Sequence, residues 1–402
     1  MKTKKRIIII SQCMRIGGAE RSLITLLNSI NYTLYDVDLF LFIHDGEFMP
    51  LIPKQVNLLP EIRKYTSLLI PVKSNIRYGF FDVLAGKTYA FIKAKLFCKR
   101  HRIGAQNMVY FNYQQRYTVF ALPIINPETI YDLAISFLTP HYVIPRKVRC
   151  RKSIAWIHTD YSFFDFDKKA ETNMWNRYDY IASISEAVTM SFTRTFPSLV
   201  NKIILIENML SSDFIRRQAD IEKVDREIPK EKGGTAICSI GRFSNAKNFD
   251  NIPFICKKLF EMGCRVKWYL IGYGGEESLI RSKIEESCMQ EYVIILGKKE
   301  NPYPYIKACD IYVQPSRYEG KAVTVREAQI LCKPVVITNY ATSGSQLENG
   351  VDGIIVPMGN EGCAKGIKTL IENKDLQSRL IENCKNRDFG NEKEIEKIYS
   401  II

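Results

Sequence analysis

Two cations, Arg242 and Lys247, stand five residues apart just after Thr235–Ile240, an apolar run that is typical of a buried strand. Arg242 follows the predicted strand end and Lys247 precedes a helical stretch, so both side chains could reach one site. Paired cations suit a diphosphate leaving group, whose charge they would neutralise. Two solvated surface cations are the alternative interpretation.

Two carboxylates, Glu319 and Glu327, stand eight residues apart across a turn that enters a predicted helix around Thr324. Glu319 would lie in the loop at a strand end, and Glu327 about one turn into the helix. Thr324 and Val325 would then offer free N–H groups at the positive end of the helix dipole. Carboxylates accept hydrogen bonds from sugar and ribose hydroxyls.

Glycine turns follow three of the predicted strands. The glycines concerned are Gly17 and Gly18 after Ile7–Ile10, Gly241 after Thr235–Ile240, and Gly272 after Arg265–Ile271. Glycine lets a backbone approach a ligand closely, and amides at a helix start favour phosphate. A purely structural turn is the alternative at each place. The sequence lacks a full GxGxxG fingerprint, which counts against a nicotinamide enzyme.

Strand-like and helical stretches alternate along the chain, which predicts parallel sheets covered on both faces. In the second half the further strands are predicted at Val293–Leu296, Ile311–Gln314, Val335–Thr338 and Gly353–Val356. In the first half they are predicted at Ile7–Ile10, Val37–Ile43, Leu133–Phe137, Ile154–Ile157 and Tyr180–Ile184. We therefore expect an α/β protein with two Rossmann-like domains, which bind ligands beyond the carboxyl ends of their strands.

The domain limits follow from composition. An N-terminal domain is predicted over 1–210, with a basic, aromatic and helical insertion around 60–120. Residues 211–234 are polar and read as a linker, and 235–385 form the second domain. The last segment, 386–402, has helical spacing compatible with a helix that crosses back to the first domain.

Composition favours a cytoplasmic location. No apolar run approaches the roughly 18 to 20 residues needed to cross a bilayer. The four isoleucines that follow the basic start are too few for the core of a signal peptide. The 11 cysteines include no CxxC pair and are scattered, which predicts reduced thiols with neither a disulfide framework nor a zinc site.

The net charge of +14 belongs almost entirely to the first half of the chain. Residues 1–205 hold 28 basic and 15 acidic side chains, whereas the remainder holds 29 and 28. Between Arg63 and Arg102 ten basic residues accompany one acid, Asp82. Such a patch suits an anionic membrane face or nucleic acid. The alternative is a soluble basic surface that binds neither.

The motifs together resemble a known family. The run from Ser316 to Gly320 and on through Glu327 resembles the E-x7-E signature of retaining glycosyltransferase family 4. Arg242 with Lys247 is similar to that family's diphosphate-binding pair, and Gly17-Gly18-Ala19-Glu20 to its N-terminal glycine loop. The elements fall in the family's order along the chain. The resemblance implies the GT-B architecture, with two Rossmann-like domains facing each other across a deep cleft.

The resemblance also implies roles for individual residues. Arg242 and Lys247 would hold the donor diphosphate, Glu319 the sugar hydroxyls and Glu327 the ribose. Further roles follow the family pattern. A phosphate would bind at Thr324 and Val325, the reacting sugar would lie near His158, and the diphosphate or the acceptor would bind at Gly17 and Gly18. The base would lie near Leu296 and Gly297, and the donor site would also include Gly241, Gly272, Gly320 and Lys321. Lys321 departs from the family, which usually has an apolar residue there, and either affects donor specificity or faces solvent.

The predicted activity is retaining transfer of a hexose from a nucleotide diphosphate sugar, with UDP as the default. The acceptor would be a lipid-linked or growing saccharide in polysaccharide biosynthesis, bound by the N-terminal domain. In the family the glutamates are not nucleophiles, and the leaving diphosphate helps to deprotonate the acceptor. We expect no metal or other cofactor, although Asp165-Phe-Asp167 resembles the metal-binding DxD of another glycosyltransferase architecture.

The basic insertion predicts peripheral binding to the inner face of the cell membrane. Its apolar residues Tyr89, Phe91, Ile92, Leu96 and Phe97 alternate with Lys87, Lys93, Lys95 and Lys99, as in an interfacial amphipathic helix. A helix packed against its own domain is the alternative. Other functions remain open: a nucleotide-sugar epimerase of the same fold, or a non-catalytic basic scaffold that binds membrane or nucleic acid. No nucleic-acid motif accompanies the charge, so we expect no nucleic-acid partner.

Overall fold

The computed structural model describes residues 4–15, 17–70, 72–104, 108–138, 140–158, 161, 165–319 and 322–402. The chain divides into two compact units. Unit 1 comprises Met1–Met209 together with Glu392–Ile402, and unit 2 comprises Leu210–Asn391. Each unit has its own parallel sheet and its own hydrophobic core.

Unit 1 is built on a sheet of seven parallel strands in the order β3-β2-β1-β4-β5-β6-β7. The isoleucines of β1 are all buried, because both faces of a parallel sheet are covered and a β-branched run suits such a strand. The strands are β1 Lys5–Ser11, β2 Tyr35–Leu41, β3 Asn57–Leu58, β4 Tyr131–Ser136, β5 Cys150–Ile157, β6 Tyr180–Ser183 and β7 Ile203–Leu205.

Helices cover this sheet and form the predicted insertion. They are α1 Gly18–Ser29, α2 Arg63–Thr66, α3 Val72–Arg77, α4 Phe81–His101, α5 Val109–Thr118, α6 Ile144–Lys147, α7 Lys168–Trp175 and α8 Glu186–Thr195, with α17 Ile395–Tyr399 at the end of the chain. The insertion corresponds to α2–α5, in which α4 packs along α5.

Unit 2 has six parallel strands in the order β10-β9-β8-β11-β12-β13. The strands are β8 Thr235–Ile240, β9 Val266–Ile271, β10 Val293–Gly297, β11 Ile311–Gln314, β12 Val335–Thr338 and β13 Ile354–Val356. The helices are α9 Ser212–Ala219, α10 Ile252–Glu261, α11 Glu277–Ser287, α12 Tyr303–Ala308, α13 Val323–Ile330, α14 Ser343–Gln346, α15 Asn360–Glu372 and α16 Lys374–Lys385. The order of the strands places β8 and β11 side by side at the centre.

The predicted α/β class with two parallel sheets is confirmed. The sequence missed β3 and β7, which are two and three residues long and too short to show a pattern. The segment 211–234, interpreted as a linker, begins with α9, whose Phe214 and Ile215 are buried in unit 2. Its polar composition concealed this short helix, because only one face of it is apolar.

The last helix, α17, belongs to unit 1. The ring of Tyr399 stacks on Tyr35 with centroids 4.4 Å apart, and its hydroxyl accepts a hydrogen bond of 2.8 Å from the Asn31 N–H. Lys397 Nζ donates to the carbonyl of Leu205 at 2.9 Å. These contacts tie the end of the chain to β2 and β7 of the first sheet.

Helix α4 has 21 residues, and lysines divide its apolar sequence into short runs. Among the described residues, no helix combines the length and the apolar character that a membrane span requires.

We predict that Tyr399→Ala lowers the free energy of unfolding of unit 1 by about 2 kcal/mol, because it removes a half-buried stacked ring. Tyr399→Phe should cost about 1 kcal/mol, since it removes only the hydrogen bond to Asn31. Urea unfolding followed by circular dichroism measures both variants. Equal stability of the alanine variant and the wild type would contradict the role given to α17.

Candidate active site

The strands of unit 2 are all parallel, so the loops that follow them lie at one edge of the sheet. Backbone hydrogen bonds join three of these loops directly. The Gly241 N–H donates to the Ile271 carbonyl at 3.0 Å, and the Gly272 N–H donates to the Gly297 carbonyl at 2.9 Å. The residues predicted for the diphosphate therefore follow β8, and those predicted for the base end β10, with β9 between the two strands.

Gly272 is required by the geometry of this edge. Its φ is +147°, and a Cβ placed on it would lie 1.9 Å from the carbonyl oxygen of Gly241. Any side chain would therefore push apart the loops that follow β8 and β9. The structure gives Gly272 this packing role, and its proposed contact with a ligand stays a prediction.

Lys247 and Glu319 come from separate motifs and meet at this edge. Lys247 Nζ donates to Glu319 Oε1 at 2.5 Å, and their side chains are 20% and 9% exposed. The aliphatic part of Lys247 lies across Gly241, because a Cβ there would be 3.2 Å from Lys247 Cδ and Cε. The cation predicted for the diphosphate and the carboxylate predicted for the sugar thus share one partly buried place.

The loop that carries Glu319 is fixed to the loop that carries Lys247. Arg317 forms a bidentate ion pair with Asp250, at 2.9 and 2.7 Å, and its Nη1 also donates to the Asn245 carbonyl. Buried Asn248 adopts a positive φ of 61° and donates through Nδ2 to the carbonyl of Pro315 at 2.8 Å. These contacts fix the position of the Glu319 loop relative to the Lys247 loop.

Glu327 lies on α13, as the spacing predicted, and is fully buried. Tyr303 Oη donates to its Oε1 at 3.0 Å. The expectation of a free Val325 amide was wrong, because the Val325 N–H donates to the Ala322 carbonyl at 3.0 Å in the first turn. Thr324 is half-buried, and its hydroxyl donates to Gln314 Oε1 at 3.4 Å.

The remaining predicted donor residues lie in different surroundings. The Arg242 side chain is exposed and forms no ion pair within the described residues. Leu296 and Gly297 end β10, where the register shifts and Gly297 takes a φ of +73°. Gly320 and Lys321 lie outside the described residues, so the role of Lys321 stays open.

In unit 1, Gly17 and Gly18 precede and begin α1, as the glycine-loop motif suggested. The Glu20 carboxylate lies against Gly17, so that a Cβ at Gly17 would be 2.0 Å from Glu20 Oε2. Burial raises the pKa of this carboxyl. The start of α1 is therefore covered by an acidic group of the chain itself. A Cβ at Gly18 would meet open space.

His158 follows β5 at the corresponding edge of the first sheet, beside the residue that follows β4. Its ring lies 4.7 Å from that of Phe137, and its Nε2 is buried with no hydrogen-bond partner within the described part of the chain. Burial lowers the pKa of His158 to about 4. The imidazole is therefore neutral at physiological pH and presents an unpartnered ring nitrogen.

Asp167 of the Asp165-Phe-Asp167 sequence acts as a helix cap. Its Oδ1 accepts a hydrogen bond from the Ala170 N–H at 3.0 Å at the start of α7, and its Oδ2 accepts one from Tyr113 Oη at 2.7 Å. Within the described ranges, no group of three or more His, Cys, Asp or Glu side chains could hold a metal ion.

Sequence reasoning assigned no role to the residues that support the site, although Ser316 and Arg317 lie within the motif run. Their shared property is that they fix a predicted functional side chain or its loop, and they are Asn248, Asp250, Gln314, Ser316, Arg317 and Phe137. Their individual types are common in loops and carry no spacing signal. The polar Gln314 at the end of an apolar strand was the one available hint.

The two units, each with its own parallel sheet, and the residues at the edge of the second sheet define a two-domain α/β protein of the GT-B class. Residues 220–387 match the family model described as glycosyl transferases group 1. The second unit is therefore a group 1 glycosyltransferase domain, which confirms the resemblance for this part of the chain. Assignment to family 4 stays a prediction.

Curated relatives agree over part of their lengths. A Campylobacter jejuni N-acetylgalactosamine-N,N'-diacetylbacillosaminyl-diphospho-undecaprenol 4-alpha-N-acetylgalactosaminyltransferase is 26% identical over 38% of this chain and 41% of its own length. The Staphylococcus aureus capsular polysaccharide biosynthesis glycosyltransferase CapM is 24% identical over 52% of this chain and 56% of its own. The chain thus spans less than two thirds of these relatives.

Solved structures match the whole fold. Anabaena HepE in complex with UDP and glucose has a TM-score of 0.65 at 17% identity, covering 98% of both chains. An S. aureus TarM variant in complex with UDP and other ligands has a TM-score of 0.65 at 14% identity, covering 99% of both chains. At these identities the likeness establishes the fold.

We predict that the His158 imidazole stays neutral down to a pH of about 4, because burial opposes its protonation. Histidine side-chain NMR titration measures this, with the resonance assigned through a His158→Gln variant. The unfolded chain protonates near pH 6.5. The wild type should therefore lose stability relative to His158→Gln as pH falls from 6.5 to 4. A transition near pH 6.5 in the folded protein would contradict the buried environment.

Proposed function

We propose that this protein is a retaining glycosyltransferase that moves a hexose from a UDP-linked donor to a lipid-linked or growing saccharide in polysaccharide biosynthesis. The observation that carries the proposal is the 2.5 Å contact between Lys247 and Glu319, since two motifs implied for one donor meet at the strand ends of unit 2. A non-catalytic basic scaffold would not need this contact, whereas a nucleotide-sugar epimerase of the same fold would need it too.

The donor would bind at the edge formed by the loops after β8–β11. Exposed Arg242 and half-buried Lys247 would take the diphosphate, and Glu327 the ribose. Lys247 would exchange its carboxylate partner for phosphate oxygens, which are bound more strongly because they carry more charge. As the glycosidic bond breaks, both cations would stabilise the departing diphosphate.

Retention follows from the family resemblance. As the resemblance implies, Glu319 would hold sugar hydroxyls rather than attack the sugar, and Lys247 and Ser316 already hold its Oε1. The departing diphosphate would receive the acceptor proton on the same face. Neutral His158, with its unpartnered nitrogen, suits contact with a sugar hydroxyl, which can donate to it.

UDP and the acceptor class are supported by similar proteins. HepE and TarM are described in complex with UDP, and HepE also with UDP-glucose. The Campylobacter relative is named for a diphospho-undecaprenol substrate, and CapM for capsular polysaccharide biosynthesis. These names favour a uracil base and a lipid-linked saccharide acceptor for this chain.

The surface of α4 supports a peripheral location on the inner face of the cell membrane. The helix buries Val83, Lys87, Ala90 and Ala94. Five of its larger apolar side chains are exposed, at 64% for Phe81, 47% for Tyr89, 57% for Phe91, 50% for Ile92 and 59% for Leu96. Lys93, Lys95 and Lys99 are exposed beside them. Apolar side chains among cations suit the interface of an anionic bilayer.

Two of the side chains predicted for this surface were assigned wrongly. Lys87 is buried, and its Nζ donates to the carbonyls of Ser67 and Ile70 at 2.8 and 3.2 Å. Burial lowers the pKa of this lysine. Phe97 is half-buried and packs against the cluster that contains Ala90 and Ala94. The exposed surface therefore excludes both residues.

We predict that UDP binds with micromolar affinity, independently of magnesium, and that Lys247→Ala weakens binding at least tenfold. The reason is loss of a cation at the diphosphate, worth about 1.5 to 3 kcal/mol. Isothermal titration calorimetry with UDP, GDP and ADP, each with and without magnesium, measures this.

Lys365→Ala is the control, because Lys365 is an exposed lysine of unit 2 that is ion-paired with Glu361 at 2.8 Å, as Lys247 is ion-paired. It should bind UDP like the wild type. Failure of the wild type to bind any of the nucleotides would remove the transferase proposal. Release of an epimerised sugar nucleotide from UDP-hexose without an acceptor would favour the epimerase instead.

We predict that the protein floats with vesicles of phosphatidylcholine and phosphatidylglycerol, and that Phe91→Ser with Leu96→Ser reduces the bound fraction at least fivefold. The double change removes apolar area from the interface. Leu34→Ser with Ile130→Ser is the matched control, since both are exposed apolar residues of unit 1. Equal loss in both double variants, or no flotation of the wild type, would refute the membrane surface.

A further inference from the structure

Within the described residues, the hydrogen bonds to the Glu319 carboxylate are all made to one of its two oxygens. Lys247 Nζ, Ser316 Oγ and Gln314 Nε2 approach Oε1 at 2.5, 2.6 and 3.5 Å. Within the described residues, no donor contacts Oε2. A carboxylate has about four acceptor positions, so half of its capacity is held by the protein and half is left for another group.

A buried chain of hydrogen bonds stands behind this arrangement. Tyr312 Oη donates to Gln314 Oε1 at 2.7 Å, which fixes the orientation of the amide. Gln314 Nε2 then donates to Ser316 Oγ at 2.9 Å, and the Ser316 hydroxyl donates a hydrogen bond to Glu319 Oε1. All three side chains are fully buried. Each group has one arrangement that satisfies its partners, so the direction of the chain is determined.

We propose that Gln314 and Ser316 are positioning residues that aim Glu319 Oε2 at a hydroxyl of the donor sugar. The inference rests on the proposed function. It adds which atom would accept the hydrogen bond from the sugar hydroxyl and which residues orient that atom. Neither Gln314 nor Ser316 need touch the donor.

The positioning matters because Lys247 has two roles. When the diphosphate binds, it competes with Glu319 for the ammonium group. A carboxylate held by the cation alone would then turn freely, and its hydrogen bond to the sugar would cost rotamer entropy. The neutral hydroxyl and amide do not attract phosphate as strongly, so they keep Glu319 in place after Lys247 shifts.

The test compares binding of UDP with binding of UDP-hexose in Gln314→Leu and Tyr312→Phe. Calorimetry is first run on the wild type with UDP, UDP-glucose, UDP-galactose and UDP-N-acetylglucosamine. The sugar nucleotide that the wild type binds most tightly then serves as the UDP-hexose in the comparison. We expect the ratio of the UDP-hexose Kd to the UDP Kd to rise at least fivefold in Gln314→Leu. The UDP Kd itself should change less than twofold. Tyr312→Phe removes only the orienting hydroxyl and should raise the ratio about twofold to threefold.

Gln329→Leu is the matched control. Gln329 is a fully buried glutamine of the same unit that contacts Asp352 and Arg326, with no hydrogen bond to Glu319. Its ratio should stay at the wild-type value. An unchanged ratio in both test variants would overturn the inference, and so would equal weakening of UDP and UDP-hexose. Wild type that binds neither UDP nor UDP-hexose would instead refute the proposed function itself.

Discussion

The parallel arrangement of strands is the constraint on which the site depends. Because every strand of unit 2 runs the same way, the loops after them meet at one edge, whatever their separation along the chain. β8 and β11 pair directly in the centre of the sheet. Lys247 and Glu319 are therefore brought to 2.5 Å from positions 72 residues apart. Short glycine-bearing turns at Gly241 and Gly272 allow the neighbouring loops to pack closely enough to support this contact.

The ion pair is also a compromise. Two charged groups that are mostly removed from water lose hydration, and their attraction offsets this only with good geometry and additional hydrogen bonds. Ser316 and Gln314 supply those hydrogen bonds on the carboxylate side. A phosphate that reached Lys247 would provide a stronger partner for the cation. The carboxylate is thus already held by its own loop, whereas the cation would change its partner on binding a phosphate.

Unit 1 shows a different balance between burial and exposure. On α4 the small side chains Ala90 and Ala94 face α5, which allows the two helices to approach closely. The larger side chains Tyr89 and Phe91 meet rings of α5 at their edges but stay about half exposed. Lys87, in contrast, enters the interior because the carbonyls of Ser67 and Ile70 satisfy its ammonium group. Local residue type alone does not distinguish these outcomes.

The sequence by itself determined the class of fold, the main strands and the motif residues, because hydrophobic periodicity and turn glycines are local signals. It correctly predicted that Glu327 lies on a helix. Glu327 comes eight residues after Glu319, which lies in the loop that follows β11, and this separation reaches the second turn of α13. Only the tertiary structure decided which partners these residues have. The Val325 amide is taken by Ala322, Asp167 caps α7, and the segment after residue 211 forms a packed helix. These outcomes depend on hydrogen bonds and burial whose partners are set by the fold, and no single stretch of sequence specifies them.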